Sequence, residues 1–295
     1  SWTGEPQQVI LETLIEAIDL AIKHAPNHVD RAGHEAAKAE VEMRWQDGLR
    51  LYRTYLRARP HDYLAITGWH WMTVKAWNKP AMADALAILR KAGARSADIA
   101  LEYIALASRI GDPSEAADFG IEQLRAHPNH KGLMYQTHRA LMWAGRSKDG
   151  SELALRFQSL HGENLLLLGR QACIEGRTVD AEALLEGLEW IFGRWYLLKL
   201  VGRDAEALRW LQSVMSNAPV LALSDFLDYT FFDPSDFPEL GAIMEREGVN
   251  RPPPAEIPFK CQRMESADVS AVCAALGRCD QRSADCGRIC PGLIR

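Results

Sequence analysis

The residues of this chain that could perform metal or acid–base chemistry do not form a recognisable catalytic motif. The segment His34–Lys38 begins like the zinc-protease motif, but Lys38 stands where that motif needs its second histidine. His24 and His28 have the same spacing, yet Pro26 between them prevents a shared helical face, so we interpret both as turn residues. Phosphate-binding loops and nucleophile-elbow sequences are absent from the sequence. We therefore predict that the chain is not an enzyme and binds no cofactor.

Cysteine is concentrated at the end of the chain. Five of the six cysteines lie in Phe259–Arg295, namely Cys261, Cys273, Cys279, Cys286 and Cys290. Their spacing is irregular and contains no C-x-x-C pair, which disfavours the common zinc ribbons and fingers. The preceding stretch Arg251–Pro258 (RPPPAEIP) is typical of a polyproline-type linker. We predict that residues 259–295 form a poorly ordered tail, with a metal site, a disulfide knot or a tail of aberrant origin as alternatives. Cys173, in mid-helix between apolar residues, is expected to be an inert buried thiol.

The elements that must position any site are helices of a regular period. Pro26 and Pro60 lie 34 residues apart, and Pro128 follows two such periods later. Proline cannot continue a helix, so one proline per period predicts that a helix ends there each time. The similar phrases HAPNH, ARPHD and AHPNH surround the three prolines. The period predicts four units, which are Val29–Asp62, Tyr63–Ser96, Ala97–His130 and Lys131–Asn164.

These units resemble tetratricopeptide repeats, which carry a small residue between two helices, an alanine where the helices cross, and a proline near the end. The matching sets are Gly111/Ala116/Pro128, Gly176/Ala181 and Gly202/Ala207/Pro219. The sequence departs from the pattern at Trp77 and Met82 in one unit and at Gly150 and Gly162 in another. The resemblance covers roughly Val9–Pro219. It implies an all-α fold, with at least ten helices paired antiparallel in a right-handed α-α superhelix over residues 1–250, and with the three alanines buried.

The resemblance also implies a binding groove lined by the first helix of each unit. Carrying the family's groove positions onto this sequence gives seven candidate partner-binding residues, which are Arg109, Tyr135, Arg139, Trp143, Arg170, Tyr196 and Lys199. Arginine clamps a carboxylate with two hydrogen bonds, and aromatic rings provide rigid contact area. The seven residues therefore predict a partner protein or peptide that is acidic. The alternative is that these charges form a solvated face with no partner.

Composition limits the functions further. The net charge is −5 and 47% of the residues are hydrophobic, so we expect neither a nucleic-acid-binding surface nor a membrane span. The leading hypothesis is a scaffold for protein–protein interaction in the cytoplasm. Ser224–Val249 resembles the closing segment of repeat regions in bacterial regulators, and Gln7–His24 lacks a partner helix, so a second hypothesis is the C-terminal regulatory region of a longer protein with a winged-helix or nucleotide-cyclase effector. An enzyme with an unrecognised helical active site is the third.

Overall fold

The computed structural model describes residues 7–216 and 218–261, and these residues form helices, turns and loops with no β-strand among them. The all-α class predicted from the sequence is confirmed. The α-helices are α1 (Gln7–His24), α2 (His28–Val41), α3 (Trp45–Ala58), α4 (Tyr63–Lys75), α5 (Lys79–Gly93), α6 (Ala97–Ile110), α7 (Pro113–Ala126), α8 (Lys131–Trp143), α9 (Ser147–His161), α10 (Leu165–Ile174), α11 (Thr178–Ala183), α12 (Ile191–Leu200), α13 (Asp204–Met215), α14 (Val220–Ser224) and α15 (Pro238–Arg246). Two 3₁₀ helices span Asp225–Asp228 and Pro234–Asp236.

The chain divides into two compact units. The first comprises residues 1–140 and 212–257, and the second comprises residues 141–211 and 258–295. In the first unit, each helix from α1 to α6 packs against the next one in the sequence, and α4 also contacts both α2 and α6. Consecutive helices joined by short turns pack antiparallel, so the first unit is built from the helix pairs that the 34-residue period predicts. In the second unit, α10 packs against α9, α11 and α12.

Polar side chains cap the start of six α-helices, at positions where the sequence predicts a break. A side-chain oxygen accepts a hydrogen bond from a backbone N–H in the first turn of the helix, which satisfies a donor that the helix itself leaves unpaired. The capping residues are Asn27, Asp62, Asn78, Ser96, Asp112 and Asn164. The boundaries of the helices are therefore encoded locally.

Five turns between the two helices of a pair contain a residue in the left-handed backbone region, whereas the turn between α6 and α7 does not, because Gly111 there has a φ of −116°. The residues with positive φ in these turns are Met43 (54°), Trp77 (47°), Gly145 (72°), Gly176 (73°) and Gly202 (77°). Glycine adopts this conformation without a steric penalty, whereas a residue with a side chain does so at a cost. The departure from the repeat pattern at Trp77 therefore changes the residue but keeps the shape of the turn.

Small residues let the helices of a pair approach closely. Ala116, Ala181 and Ala207 are all 0% exposed, as the repeat pattern predicts. Gly150 takes the place of the alanine in its unit, and a Cβ atom there would collide with the side chain of Met142. The departure at Gly150 is thus a smaller residue that accommodates the larger Met142.

Residues beyond α13 return to the first unit. In α15 and the residue after it, Arg246 donates a hydrogen bond to the carbonyl of Met43 at 2.8 Å, and Glu247 accepts one from the backbone N–H of Gln46 at 3.1 Å. The stretch predicted to be a linker also makes contacts, because the guanidinium of Arg251 lies 4.7 Å from the ring centroid of Trp77. The domain limits drawn at residues 250 and 258 stay a prediction.

A disulfide joins Cys173 of α10 to Cys261 in the second unit. The expectation that Cys173 is an inert thiol is therefore wrong. The backbone N–H of Cys261 also donates to the carbonyl of Leu200 at 2.8 Å, so the disulfide and a hydrogen bond hold the same residue. The cysteines at 273, 279, 286 and 290, and with them most of the predicted tail, lie outside the described residues.

Candidate functional site

Three of the seven predicted groove residues lie in the first unit, and two of them meet at one tyrosine. Arg109 of α6 donates to the hydroxyl of Tyr229 at 2.9 Å, and Arg139 of α8 donates to the same oxygen at 3.4 Å. Arg139 is 2% exposed and also donates to the carbonyl of Ala105 at 3.1 Å. Tyr135 is half-buried. The two arginines thus come together as the repeat spacing predicts, but they face a segment of the same chain.

The other four predicted residues lie in the second unit. The indole nitrogen of Trp143 donates to the hydroxyl of Tyr196 at 2.8 Å, and Tyr196 is 1% exposed. Arg170 is fully buried. Lys199 is partly exposed and forms an ion pair with Asp204 at 2.9 Å. Burial gives Arg170 and Tyr196 a role in packing, and the role of all four residues in binding a partner stays a prediction.

The segment that meets Arg109 and Arg139 is acidic and aromatic, and we call it the acidic segment (residues 224–233, SDFLDYTFFD). Asp228 lies 3.4 Å from Arg109, and both side chains are 6% exposed. Asp225 accepts a hydrogen bond from the ammonium group of Lys75 in α4 at 2.9 Å. Two aspartates of the acidic segment thus pair with basic side chains of α4 and α6, and the predicted preference for an acidic partner stays a prediction.

Burial governs the electrostatics beneath the acidic segment. It raises the pKa of Asp228 to about 7, although the positive charges of Arg109 and Lys75 favour the ionised form. Burial likewise lowers the pKa of His70, whose Nδ1 lies 3.5 Å from the carboxylate of Glu102. These are groups that sequence reasoning did not single out. Both side chains are almost completely buried, so they are better explained as a buried structural pair than as catalytic groups.

An accessible basic surface lies instead on α3. Arg50, Arg53 and Arg57 are exposed and recur at positions i, i+3 and i+7, so they project from one side of the helix. We call these three residues the α3 basic face. Other residues of α3, among them Trp45 and Leu51, are buried in the core, which holds the helix in place. The core thus fixes the position of α3, while the three arginines themselves stay exposed to solvent.

The α3 basic face borders a surface groove of about 280 Å³. Leu49 of α3, Trp69 of α4 and Ala81 of α5 provide apolar lining, and all three are largely buried. Thr54 and Asn78 add polar groups at the edges. The groove thus combines exposed guanidinium groups with a small apolar surface.

The cations of this groove are only lightly neutralised. Arg50 pairs with Asp47 at 3.2 Å and Arg53 pairs with Asp84 at 3.5 Å, and all four side chains are well exposed. Exposed ion pairs of this kind contribute only about 0–1 kcal/mol, so an incoming carboxylate can replace them at little cost. Within residues 7–216 and 218–261, Arg57 has no ion-pair partner.

The sequence contained a signal for this groove, although the predicted site residues did not include it. The spacing of Arg50, Arg53 and Arg57 is visible in RLYRTYLR, but α3 is the second helix of its unit, and the repeat family places its groove on first helices. In this chain the acidic segment already lies against α4 and α6, which are first helices. The exposed arginines of the α3 basic face consequently lie on a second helix of a repeat unit.

In the described part of the chain, no group of three or more histidine, cysteine, aspartate or glutamate side chains is arranged to hold a metal ion. None of its helices is both long and apolar enough to cross a membrane.

Comparison with known proteins gives no match to any family model, curated protein or solved structure.

Proposed function

We propose that this chain is a tetratricopeptide-type scaffold that binds an acidic segment of a partner protein at the α3 basic face. The observation that carries the proposal is the set of three exposed arginines at helical spacing beside an apolar groove. Guanidinium groups form paired hydrogen bonds with carboxylates, and the spacing of the arginines along α3 suits a segment that lies parallel to the helix. The apolar lining from Trp69 and Leu49 would accept an apolar side chain between the acidic ones.

Exposure favours this surface over the residues predicted from the repeat family. Arg139 and Arg170 are buried, so a partner could reach them only after the fold opened. Reversing the charge of either residue would test stability rather than binding. Arg50, Arg53 and Arg57 carry no such complication, because their side chains can be changed without creating a cavity.

The proposal can be tested with a fluorescent peptide of alternating glutamate and leucine. We expect the wild-type chain to bind it and the triple variant Arg50→Glu/Arg53→Glu/Arg57→Glu to bind it at least tenfold more weakly, with affinity falling as salt is added. The matched control is Arg31→Glu/Arg95→Glu/Arg125→Glu, which makes the same change in net charge at three exposed positions of the first unit. Equal loss in both triple variants would show non-specific attraction and would refute the proposed site.

We also propose a cytoplasmic location, and the Cys173–Cys261 disulfide provides a test of it. Disulfides persist mainly in oxidising compartments and are rare in the cytosol. In cells quenched with an alkylating agent, a cytoplasmic chain should carry both cysteines as alkylated thiols. Recovery of the disulfide as the main form in cells would contradict the proposed location, although it would leave the scaffold proposal intact.

A further inference from the structure

A second cavity lies in the first unit, beside α1. Its volume is about 350 Å³, which is within the usual range for small-molecule sites. The apolar lining comes from Ile10, Leu14 and Ile18 of α1, Val41 of α2, and Leu221 of α14. Ile10 and Leu14 are each about two-fifths exposed, so they stand where the cavity opens to solvent. We call this space the α1 cavity.

Three ionisable residues, Glu40, Lys75 and Asp225, also line the α1 cavity. The Lys75 side chain is only 4% exposed, whereas that of Asp225 is 72% exposed. Burial of a charge is costly unless the charge is paired, and Lys75 is paired with Asp225 at 2.9 Å. The site is therefore an apolar chamber with a specific polar end.

Lys75 has hydrogen-bonding capacity that the surrounding chain does not use. Its ammonium group has three N–H donors, and one of them is satisfied by Oδ1 of Asp225 at 2.9 Å. Among the described residues, no second acceptor lies within hydrogen-bonding distance of Lys75. A ligand atom with a lone pair would therefore find a buried donor at the polar end of the α1 cavity.

Glu40 supplies the complementary acceptor. Its Oε2 receives a hydrogen bond from the hydroxyl of Tyr52 at 3.0 Å, and the other oxygen has no donor in the described part of the chain. Burial raises the pKa of this carboxyl, which the positive charge of Lys75 partly opposes. The polar end thus presents a donor from Lys75 and an acceptor from Glu40.

The charges decide which head group fits. Lys75 and Asp225 neutralise each other as an ion pair, so an anionic head would meet the carboxylates of Glu40 and Asp225, and a cationic head would meet Lys75. A neutral group that both accepts and donates a hydrogen bond, such as a hydroxyl, satisfies Lys75 and Glu40 together. We propose that the α1 cavity binds a small neutral amphiphile with an apolar chain and a hydroxyl head.

This site is independent of the proposed scaffold function, since the α1 cavity and the groove beside the α3 basic face share no lining residue. The probe is 1-octanol, which carries the required head on a chain of suitable size. Titration calorimetry should show one saturable site for 1-octanol, with octanoate and octylammonium at least tenfold weaker. Tighter binding of either charged probe, or no saturable binding of 1-octanol, would overturn the proposal.

Two variants locate the binding. Leu14→Trp places a larger side chain in the α1 cavity and should abolish binding, whereas Leu20→Trp makes the same change at an exposed position of α1 that does not line it. Lys75→Met keeps the length of the side chain, removes the buried donor, and should weaken 1-octanol about tenfold or more. If Lys75→Met fails to fold, the two tryptophan variants still decide the matter, because equal affinity in both would refute the site.

Discussion

The carboxylate of Asp228 lies 3.4 Å from Nη1 of Arg109, and both side chains are almost completely buried. This pair joins the acidic segment to α6, two parts of the chain that are far apart in sequence. Burial holds the pKa of Asp228 at about 7, well above that of an exposed aspartate. The folded state therefore binds this proton more tightly than the unfolded state does.

A dependence of stability on pH follows from this carboxyl. Its contribution to the free energy of unfolding is most favourable below about pH 4 and is lost as pH rises through 7. Over this range the unfolded chain releases the proton freely, whereas burial in the folded chain disfavours the ionised carboxylate of Asp228. We expect wild type to lose on the order of 1–3 kcal/mol relative to Asp228→Asn between those limits. Urea unfolding of both chains across this range measures the difference.

The comparison between wild type and variant removes the contribution of His70, which titrates in both chains. Asp84→Asn serves as the control, because the Asp84 side chain is well exposed. If the stability difference for Asp228→Asn did not change with pH, Asp228 would not be held in its protonated form by burial.

Enlarging the buried alanine of α7 should destabilise the first unit. Ala116 is 0% exposed, so Ala116→Leu forces neighbouring side chains or helices to move, at a cost of about 1–3 kcal/mol. Ala126→Leu makes the same change at an exposed position of the same helix and should alter the melting temperature little. Equal melting temperatures for the two variants would contradict the close packing at Ala116.

Alanine substitutions at two glycines can separate the effect of backbone conformation on stability from the effect of steric clashes with neighbouring atoms. A Cβ atom at Gly145 or at Gly241 would meet no atom within 4 Å, but Gly145 has a φ of 72° while Gly241 lies inside α15. We expect Gly145→Ala to lower the free energy of unfolding by about 1 kcal/mol, and Gly241→Ala to raise it by about 0.5–1 kcal/mol. Chemical unfolding of both variants checks the opposite signs, and a shared sign would be inconsistent with the turn geometry.

Loss of the disulfide should destabilise the second unit. Cys173 and Cys261 are 88 residues apart, and closing so long a loop restricts the unfolded chain, which typically stabilises a protein by about 2–4 kcal/mol. A reducing agent should therefore lower the melting temperature of wild type. Cys261→Ser should start from the lower temperature and show no response to the same agent. A variant that still responded would assign the effect to cysteines other than this pair.

Local chemistry explains which parts of the fold could be predicted from the sequence. The limits of α1 were predicted at Gln7 and His24, and the break between α6 and α7 follows from Gly111 and Pro113. Each of these signals acts within one turn of the chain. The left-handed turn at Trp77 carried no such signal, because tryptophan does not favour that conformation.

The candidate site was harder to predict because it depends on distant contacts. The period placed Arg109 and Arg139 near each other, and the structure joins them at one tyrosine. That tyrosine belongs to the acidic segment, and neither composition nor spacing showed that Tyr229 and Asp228 would reach them. Because the acidic segment covers Arg109 and Arg139, the exposed arginines that could bind a partner are Arg50, Arg53 and Arg57 instead.

The link between Cys173 and Cys261 also determines what a protease can do to this molecule. A single cut anywhere between these two residues leaves both fragments joined covalently, so the nicked molecule keeps its full mass on a gel run without reductant. The same sample separates into two bands once the link is reduced. A cut before Cys173 releases its fragment under both conditions, so paired gels distinguish it from a cut inside the loop that the disulfide closes.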